Sequence, residues 1–262
     1  MRHGNERISA RIALPALFGI AFLGLPLVAV LWRAPWTQLS ELLSEPTIRQ
    51  TVWLSLLTST LSAIVSLMLG TPLAALLAHS SRPWIRYPRT LATLPIVLPP
   101  VVAGVALLLA FGRNGLVGQW LWQWFGWQIP FSPVAVVMAQ TFVAMPFLVI
   151  TLEGALRHAD VDLADAAATA GATRWQVLRH VTLPSIGPSV VSAVALAWAR
   201  AFGEFGATIT FAGNFPGRTQ TLPISVYLAL ETNPEAAIGL SLLMMLVSVS
   251  VLVGLRDRWL SR

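Results

Sequence analysis

The 262-residue chain is 56% hydrophobic and 11% charged, with a mean hydropathy of +0.71, whereas water-soluble domains carry about 25% charged residues; it belongs in a membrane. All 17 basic residues are arginine and cysteine is absent, which excludes a Walker-type ATPase, whose phosphate loop needs a lysine, and also disulfides, thiolate metal sites, iron–sulfur clusters and cysteine nucleophiles. With four histidines scattered at 3, 79, 158 and 180, no metal site and no catalytic residue is expected, and the net charge of +6 is better read through its distribution across a bilayer than as a nucleic-acid footprint.

A hydrocarbon core about 30 Å thick takes roughly 20 apolar helical residues to cross, so uncharged runs between arginines measure the spans. The first run, 21 residues between Arg11 and Arg33, exceeds the apolar region of a signal peptide, about 7 to 15 residues, and no small-x-small cleavage site follows it. A retained helix is therefore expected. The runs Arg49 to Arg82 and Arg89 to Arg113 predict spans over 52–79 and 91–111. Asn114 to Leu152 is too long for one crossing. Its first part, GLVGQWLWQWFGWQIPFSP, has the glycines, prolines and tryptophans of a loop with a short interfacial helix in an aromatic belt, and a fourth span is predicted over 134–152. Spans over 188–211 and 236–255 follow. The expected fold is all-α and integral to the membrane, with six transmembrane helices: residues 1–49 hold the first span and first outer loop, 50–256 the transmembrane core, and 257–262 a cytoplasmic tail.

The arginines test that count. The N-terminus, second loop, fourth loop and C-terminus hold twelve of them, four (Arg33, Arg49, Arg113, Arg218) fall in the opposite loops, and Arg200 lies within the fifth span. Because cytoplasmic loops carry the excess of arginine, both termini are expected in the cytoplasm.

The fourth loop, from Glu153 to about Gly187, is long and patterned. Residues 160–170 are alanine-rich with acidic residues in the first turn, where they complement the helix dipole. Gly171 suits a helix C-terminus. Thr173-Arg174-Trp175-Gln176 matches a capping box opening a second helix, which Leu183-Pro184 is expected to end. Two short helices joined at a glycine would form either a surface connector or a docking knob.

The spacing favours the knob. Asp165-Ala166-Ala167, three residues, Gly171, nine residues, then Val181-Thr182-Leu183-Pro184 resembles the EAA loop of ABC importer permeases, with Asp165 where Glu is usual and Val181 where Ile is usual. The segments 199–223, ARAFGEFGATITFAGNFPGRTQTLP, and 94–118, LPIVLPPVVAGVALLLAFGRNGLVG, resemble molybdate and tungstate permeases; sulfate and thiosulfate permeases share a related GEFG segment. The resemblance implies a non-enzymatic subunit with no cofactor of its own, in the cell membrane, working as a homodimer on two ATPase subunits that use ATP and Mg, and receiving an oxyanion from an extracytoplasmic binding protein at its outer loops, among them Gly213 to Pro234, whose turn chemistry reads as exposed. It also implies that Asp165, Ala166, Ala167, Gly171, Arg174, Trp175, Val181, Leu183 and Pro184 contact the ATPase.

Arg200 and Glu204 place opposite charges four residues apart within a span, where ionisable residues face an interior or a wet pathway. They either line a gate or hold the bundle together as an i,i+4 pair on one helix face, and Gly203 and Gly206 allow a close helix contact there. Candidate donors along a pathway are Thr208, Thr210, Ser55, Thr58, Ser59 and Ser62, although serine and threonine more often satisfy a neighbouring carbonyl. Pro95, Pro99 and Pro100 bend or interrupt the third span, as a hinge or as a static kink. Bringing a dianion into a cell interior 100 mV negative costs about 4.6 kcal/mol before any gradient, so passive entry is excluded. A secondary transporter is the alternative of another class, but no inverted repeat is visible in the sequence.

Overall fold

A computed structural model describes residues 10–80, 82–158, 163, 166, 167 and 169–256, with no strand among them. The helices are α1 (Ala10–Arg33), α2 (Leu39–Ser44), α3 (Pro46–His79), α4 (Arg86–Val97), α5 (Pro100–Phe111), α6 (Gly118–Phe125), α7 (Pro133–Arg157), α8 (Arg174–Val177), α9 (Leu183–Phe202), α10 (Gly206–Ala212), α11 (Leu222–Thr232) and α12 (Pro234–Arg256). Proline opens α3, α5, α7 and α12, at a position where the missing N–H is no loss and the fixed φ suits the first turn. Among the described residues, five helical segments are long and apolar enough to cross a membrane: Arg11–Arg33, Pro46–His79, Pro133–Arg157, Trp175–Phe202 and Pro234–Val251.

The core is built on α3, α7 and α9. One face of α3 presents Thr51, Ser55, Ser59, Ser62, Ser66, Gly70 and Ala74, all buried. Small side chains let helix backbones approach in a membrane, where no hydrophobic force drives them together. A Cβ on Gly70 would lie 2.8 Å from Leu148 Cδ2 of α7, and Thr141 of α7 donates to Ser62 Oγ at 3.2 Å. Leu77, Leu148, Leu152, Ala193 and Ala197 continue this core toward the arginine-rich end. Ala103 and Leu107 of α5, Val136 and Ala139 of α7, and Ala207 and Phe211 of α10 form a second cluster. By contrast α1 touches α12 and leaves its large apolar side chains uncovered, Phe18 at 75% exposure among them.

Several expected boundaries change. The third span, 91–111, is two helices, α4 and α5, because Leu98 is extended (ψ 132) and Pro99-Pro100 cannot continue the amide ladder. The fifth, 188–211, is likewise two: α9 ends at Phe202 with Gly203 as its cap, and α10 restarts at Gly206. Leu183-Pro184 does not end the loop's second helix. α8 passes through a π-helical turn, Leu178–Thr182, directly into α9, whose first turn accepts Pro184. Nor is 213–234 all exposed turn, since Thr219, Thr221, Leu222 and Ile224 are buried and α11 fills its second half. A short helix is present in the expected stretch as α6, ended by Gly126 in the left-handed region (φ 66), and it carries the exposed Trp120 and Trp124. The first helix of the fourth loop, with Asp160 and Asp165, lies largely outside the described residues.

Candidate coupling and translocation site

The breaks in α4–α5 and α9–α10 lie against each other. A Cβ on Gly206 would stand 2.8 Å from Pro100 Cβ and 3.3 Å from Val101 N, and one on Gly104 would stand 2.6 Å from Thr210 Cβ and 2.9 Å from Ala207 O. Only glycine permits that approach of α10 to α5. Both interruptions therefore sit at one level of the bundle, where Pro100 meets Gly206, with Pro99 and Glu204 adjoining them in the chain.

Arg200 Nη1 lies 2.6 Å from Glu204 Oε2, with Arg200 29% and Glu204 1% exposed. They do not share a helix face as the spacing suggested, since Glu204 follows the Gly203 cap. Its second oxygen, Oε1, accepts from Ala207 N at 2.9 Å, giving the first turn of α10 an acceptor for one of its orphan donors. The carboxylate thus joins the last turn of α9 to the first turn of α10. Beside it Thr210 spends its hydroxyl on Gly206 O at 2.8 Å, while the fully buried Thr208 Oγ1 has no hydrogen-bond partner among the described residues. The α3 hydroxyls turn back to their own helix: Ser55 to Thr51 O at 2.9 Å, Thr58 to Leu54 O at 2.8 Å and Ser59 to Ser55 O at 2.6 Å. Ser55 Oγ also accepts from Leu222 N at 2.7 Å, fixing the start of α11.

In the fourth loop Gly171 adopts φ 89, and Ala172 N donates to Ala167 O at 3.0 Å, the six-to-one bond of a Schellman C-cap. Ala166 accepts from Ala170 N at 3.0 Å. The capping box is present: Thr173 N donates to Gln176 Oε1 at 2.8 Å and Gln176 N to Thr173 Oγ1 at 3.3 Å. Between the two helix ends lies a cavity of about 380 Å³ lined by Ala167, Gly171, Gln176, His180 and Val181. Trp175 is 62% and Leu183 44% exposed, and Pro184 is also exposed. Arg174 opens α8; Asp165 lies outside the described residues.

One constellation went unread in the sequence. Glu153, near the end of α7, accepts from Arg89 Nε at 3.1 Å and from Arg89 Nη2 at 2.8 Å, and pairs with Arg157 Nη2 at 2.9 Å. Both arginines also donate to Leu77 O, at 3.1 and 3.2 Å. The i,i+4 spacing of Glu153 and Arg157 was a visible signal; the partnership with Arg89, 64 residues away, was not. At the opposite end, Phe131 holds φ 63 and packs edge-on against Phe215 at 6.0 Å between ring centroids. Phe215 O accepts from Arg218, Thr219 and Gln220 N, which folds 213–221 into a fixed turn.

The described residues are helical, with interrupted helices and a capped loop between two membrane-length helices, an architecture that suits a membrane transport subunit. Residues 70–262 match the binding-protein-dependent transport system inner membrane component family, and the chain belongs to that family. More particularly, it is 48% identical over 247 residues to the molybdenum transport system permease protein ModB of Mycobacterium tuberculosis (strain ATCC 25618 / H37Rv), covering 94% of this chain and 93% of that one. It is 33% identical over 218 residues to the sulfate transport system permease protein CysT of Escherichia coli (strain K12), covering 82% and 78%. Among solved structures, a bacterial ABC transporter involved in the import of the acidic polysaccharide alginate matches with a TM-score of 0.76 over 96% of this chain and 95% of that one, at 16% identity, a likeness of fold. The chain is accordingly a multi-pass cell-membrane transport subunit.

Proposed function

We propose that this chain is the permease of an ATP-driven importer that brings molybdate into the cytoplasm. The observation that carries the reading is the 48% identity, over nearly the whole chain, to a molybdenum permease, against 33% to a sulfate permease. Two copies would form the pathway, each crossing the membrane six times, with α4–α5 and α9–α10 as broken third and fifth spans and both termini in the cytoplasm. The distribution of arginine supports that orientation.

The chain has no lysine for a phosphate loop, so energy comes from a separate pair of ATPase subunits using ATP and Mg; this chain is non-catalytic and holds no cofactor. Asp165, Ala166, Ala167, Gly171, Arg174, Trp175, Val181, Leu183 and Pro184 form the contact with them. The rigid C-cap at Gly171 and the capping box at Thr173 support this role, because a lever must keep its shape while it is pushed. An extracytoplasmic oxyanion-binding protein delivers the ion to the outer turns. Inside, the paired Arg200 and Glu204, with Thr208, Thr210, Pro99 and Pro100, border the place where both spans are broken. A neutral pair there lets a dianion pass without being held, and conduction requires sites weak enough to leave.

The test is molybdenum accumulation, read by mass spectrometry, in transporter-deficient cells making this chain, its ATPase and its binding protein, with trace molybdate and with or without excess sulfate. Uptake that needs all three proteins and survives sulfate is expected. Sulfate uptake without molybdenum uptake would assign the chain to the sulfate branch, and uptake without the ATPase would make it a secondary transporter.

A further inference from the structure

We infer that Glu153 is the joint through which movement of the fourth loop reaches the interrupted third span. The inference rests on the proposed coupling role of that loop.

Three helix ends converge on this carboxylate and the carbonyl beside it. Glu153 is 13% exposed on its side chain and lies in the last turns of α7, whose helix ends at Arg157 where the fourth loop begins. Arg89 comes from the first turn of α4 and binds one carboxylate oxygen through both Nε and Nη2. Arg157 reaches the same oxygen at 2.9 Å. Each arginine places a further N–H on the carbonyl of Leu77, a fully buried residue in the last turn of α3. Two cations at that helix end also complement its dipole. Without Glu153 two like charges would share one acceptor and separate; with it, α3, α4 and α7 end in a single charge-assisted cluster.

The direction of transmission follows from what each helix joins. The loop continues directly from α7, so a push on it acts first on the turn that carries Glu153. Arg89 passes that displacement to α4, a continuous helix of 12 residues. Its far end is the break at Leu98 and Pro99, where Pro100 meets Gly206 beside the Arg200–Glu204 pair. Packing alone does not provide this route, because α4 meets the apolar core shared with α7 through the small Ala92, a contact that permits sliding, whereas an arginine holding one carboxylate oxygen through two N–H groups does not. Glu153 and Arg89 are thus positioning residues that touch no substrate.

The experiment uses the complete transporter, with ATPase and binding protein, reconstituted in liposomes, and reads molybdate uptake and ATP hydrolysis together. Glu153→Gln removes the charge at nearly constant volume. It is expected to leave complex assembly and hydrolysis intact while uptake per ATP falls about tenfold, within the usual range of coupling between sites. Unchanged uptake per ATP in an assembled Glu153→Gln complex would overturn the inference. A loss of assembly that accompanies Gly171→Val but not Glu153→Gln reports on the loop contact alone, so failure of the underlying reading is separable. To keep a fold defect from imitating the result, Arg89→Cys/Glu153→Cys is made in this cysteine-free chain and bridged with a reducible bis-methanethiosulfonate. Bridging is expected to restore coupling and reduction to remove it; equal coupling in both states also overturns the inference.

Discussion

Arg200 meets Glu204 at 2.6 Å at the interruption between two helices, and the same carboxylate accepts an N–H from the first turn of the second helix at 2.9 Å. One side chain therefore satisfies a partly buried cation and a helix start together. Because Glu204 is 1% exposed, removing Arg200 leaves a carboxylate buried and uncompensated, which costs about 3–5 kcal/mol; removing Glu204 leaves the partly exposed Arg200 without its partner and Ala207 N without its acceptor. Arg200→Ala and Glu204→Ala are each expected to lower yield and thermal stability sharply in detergent. Glu204→Gln keeps an acceptor for Ala207 N and is expected to lose less than Glu204→Ala; thermal unfolding of the three variants beside the parent gives the order.

The contact between the breaks makes a graded steric prediction. Gly104→Ala would press a methyl against backbone, 2.9 Å from Ala207 O, and overpacking of this kind costs about 1–3 kcal/mol. Gly206→Ala meets Pro100 Cβ at 2.8 Å and is expected to behave alike. Gly154, inside α7 with nothing within 4 Å of a new Cβ, is the internal control: Gly154→Ala is expected to stabilise by up to about 1 kcal/mol. Equal melting temperatures for Gly104→Ala and Gly154→Ala would show that the two breaks are not pressed together.

Much of this architecture was legible in the sequence, and what was missed shares one cause. Counting uncharged residues between arginines finds where a span fits, but not whether its backbone ladder is continuous. The prolines at 99 and 100 gave the first break away because they lack donors. The second is made by Gly203 and Glu204, and a glutamate within an apolar run reads as a helix-face charge until the cap it makes to Ala207 is seen. Gly171 and Thr173 were readable because a C-cap and a capping box are local, closed by residues at most five positions apart. The Arg89–Glu153 contact spans 64 positions, and no periodicity carries that information.

The loop's shape depends on Gly171 at φ 89. A β-branched side chain in the left-handed region costs about 1–2 kcal/mol, whereas asparagine tolerates it. Gly171→Val is therefore expected to weaken co-purification with the ATPase about tenfold, and Gly171→Asn much less. If both variants bound the ATPase like the parent, the fold of this turn would not matter to docking.

The span count can be decided at the broken third span. α4 and α5 hold 12 residues each, about 18 Å apiece at 1.5 Å per residue, so neither alone covers a core of about 30 Å and the two in series do. If they cross, Arg82 before α4 and Asn114 after α5 lie on opposite sides; if they turn back at Leu98 and Pro99, both lie on one side and the termini end on different sides. The chain contains no cysteine, so single substitutions report cleanly. Arg82→Cys, Asn114→Cys, His158→Cys and Asn214→Cys are all at exposed positions. With a membrane-impermeant maleimide, Asn114→Cys and Asn214→Cys are expected to label in intact cells, and Arg82→Cys and His158→Cys only after permeabilisation. Protection of Asn114→Cys together with Arg82→Cys would make α4–α5 a re-entrant hairpin and the chain a five-span protein. Its two breaks would then line one aqueous recess, the setting in which non-helical backbone is tolerated at membrane depth.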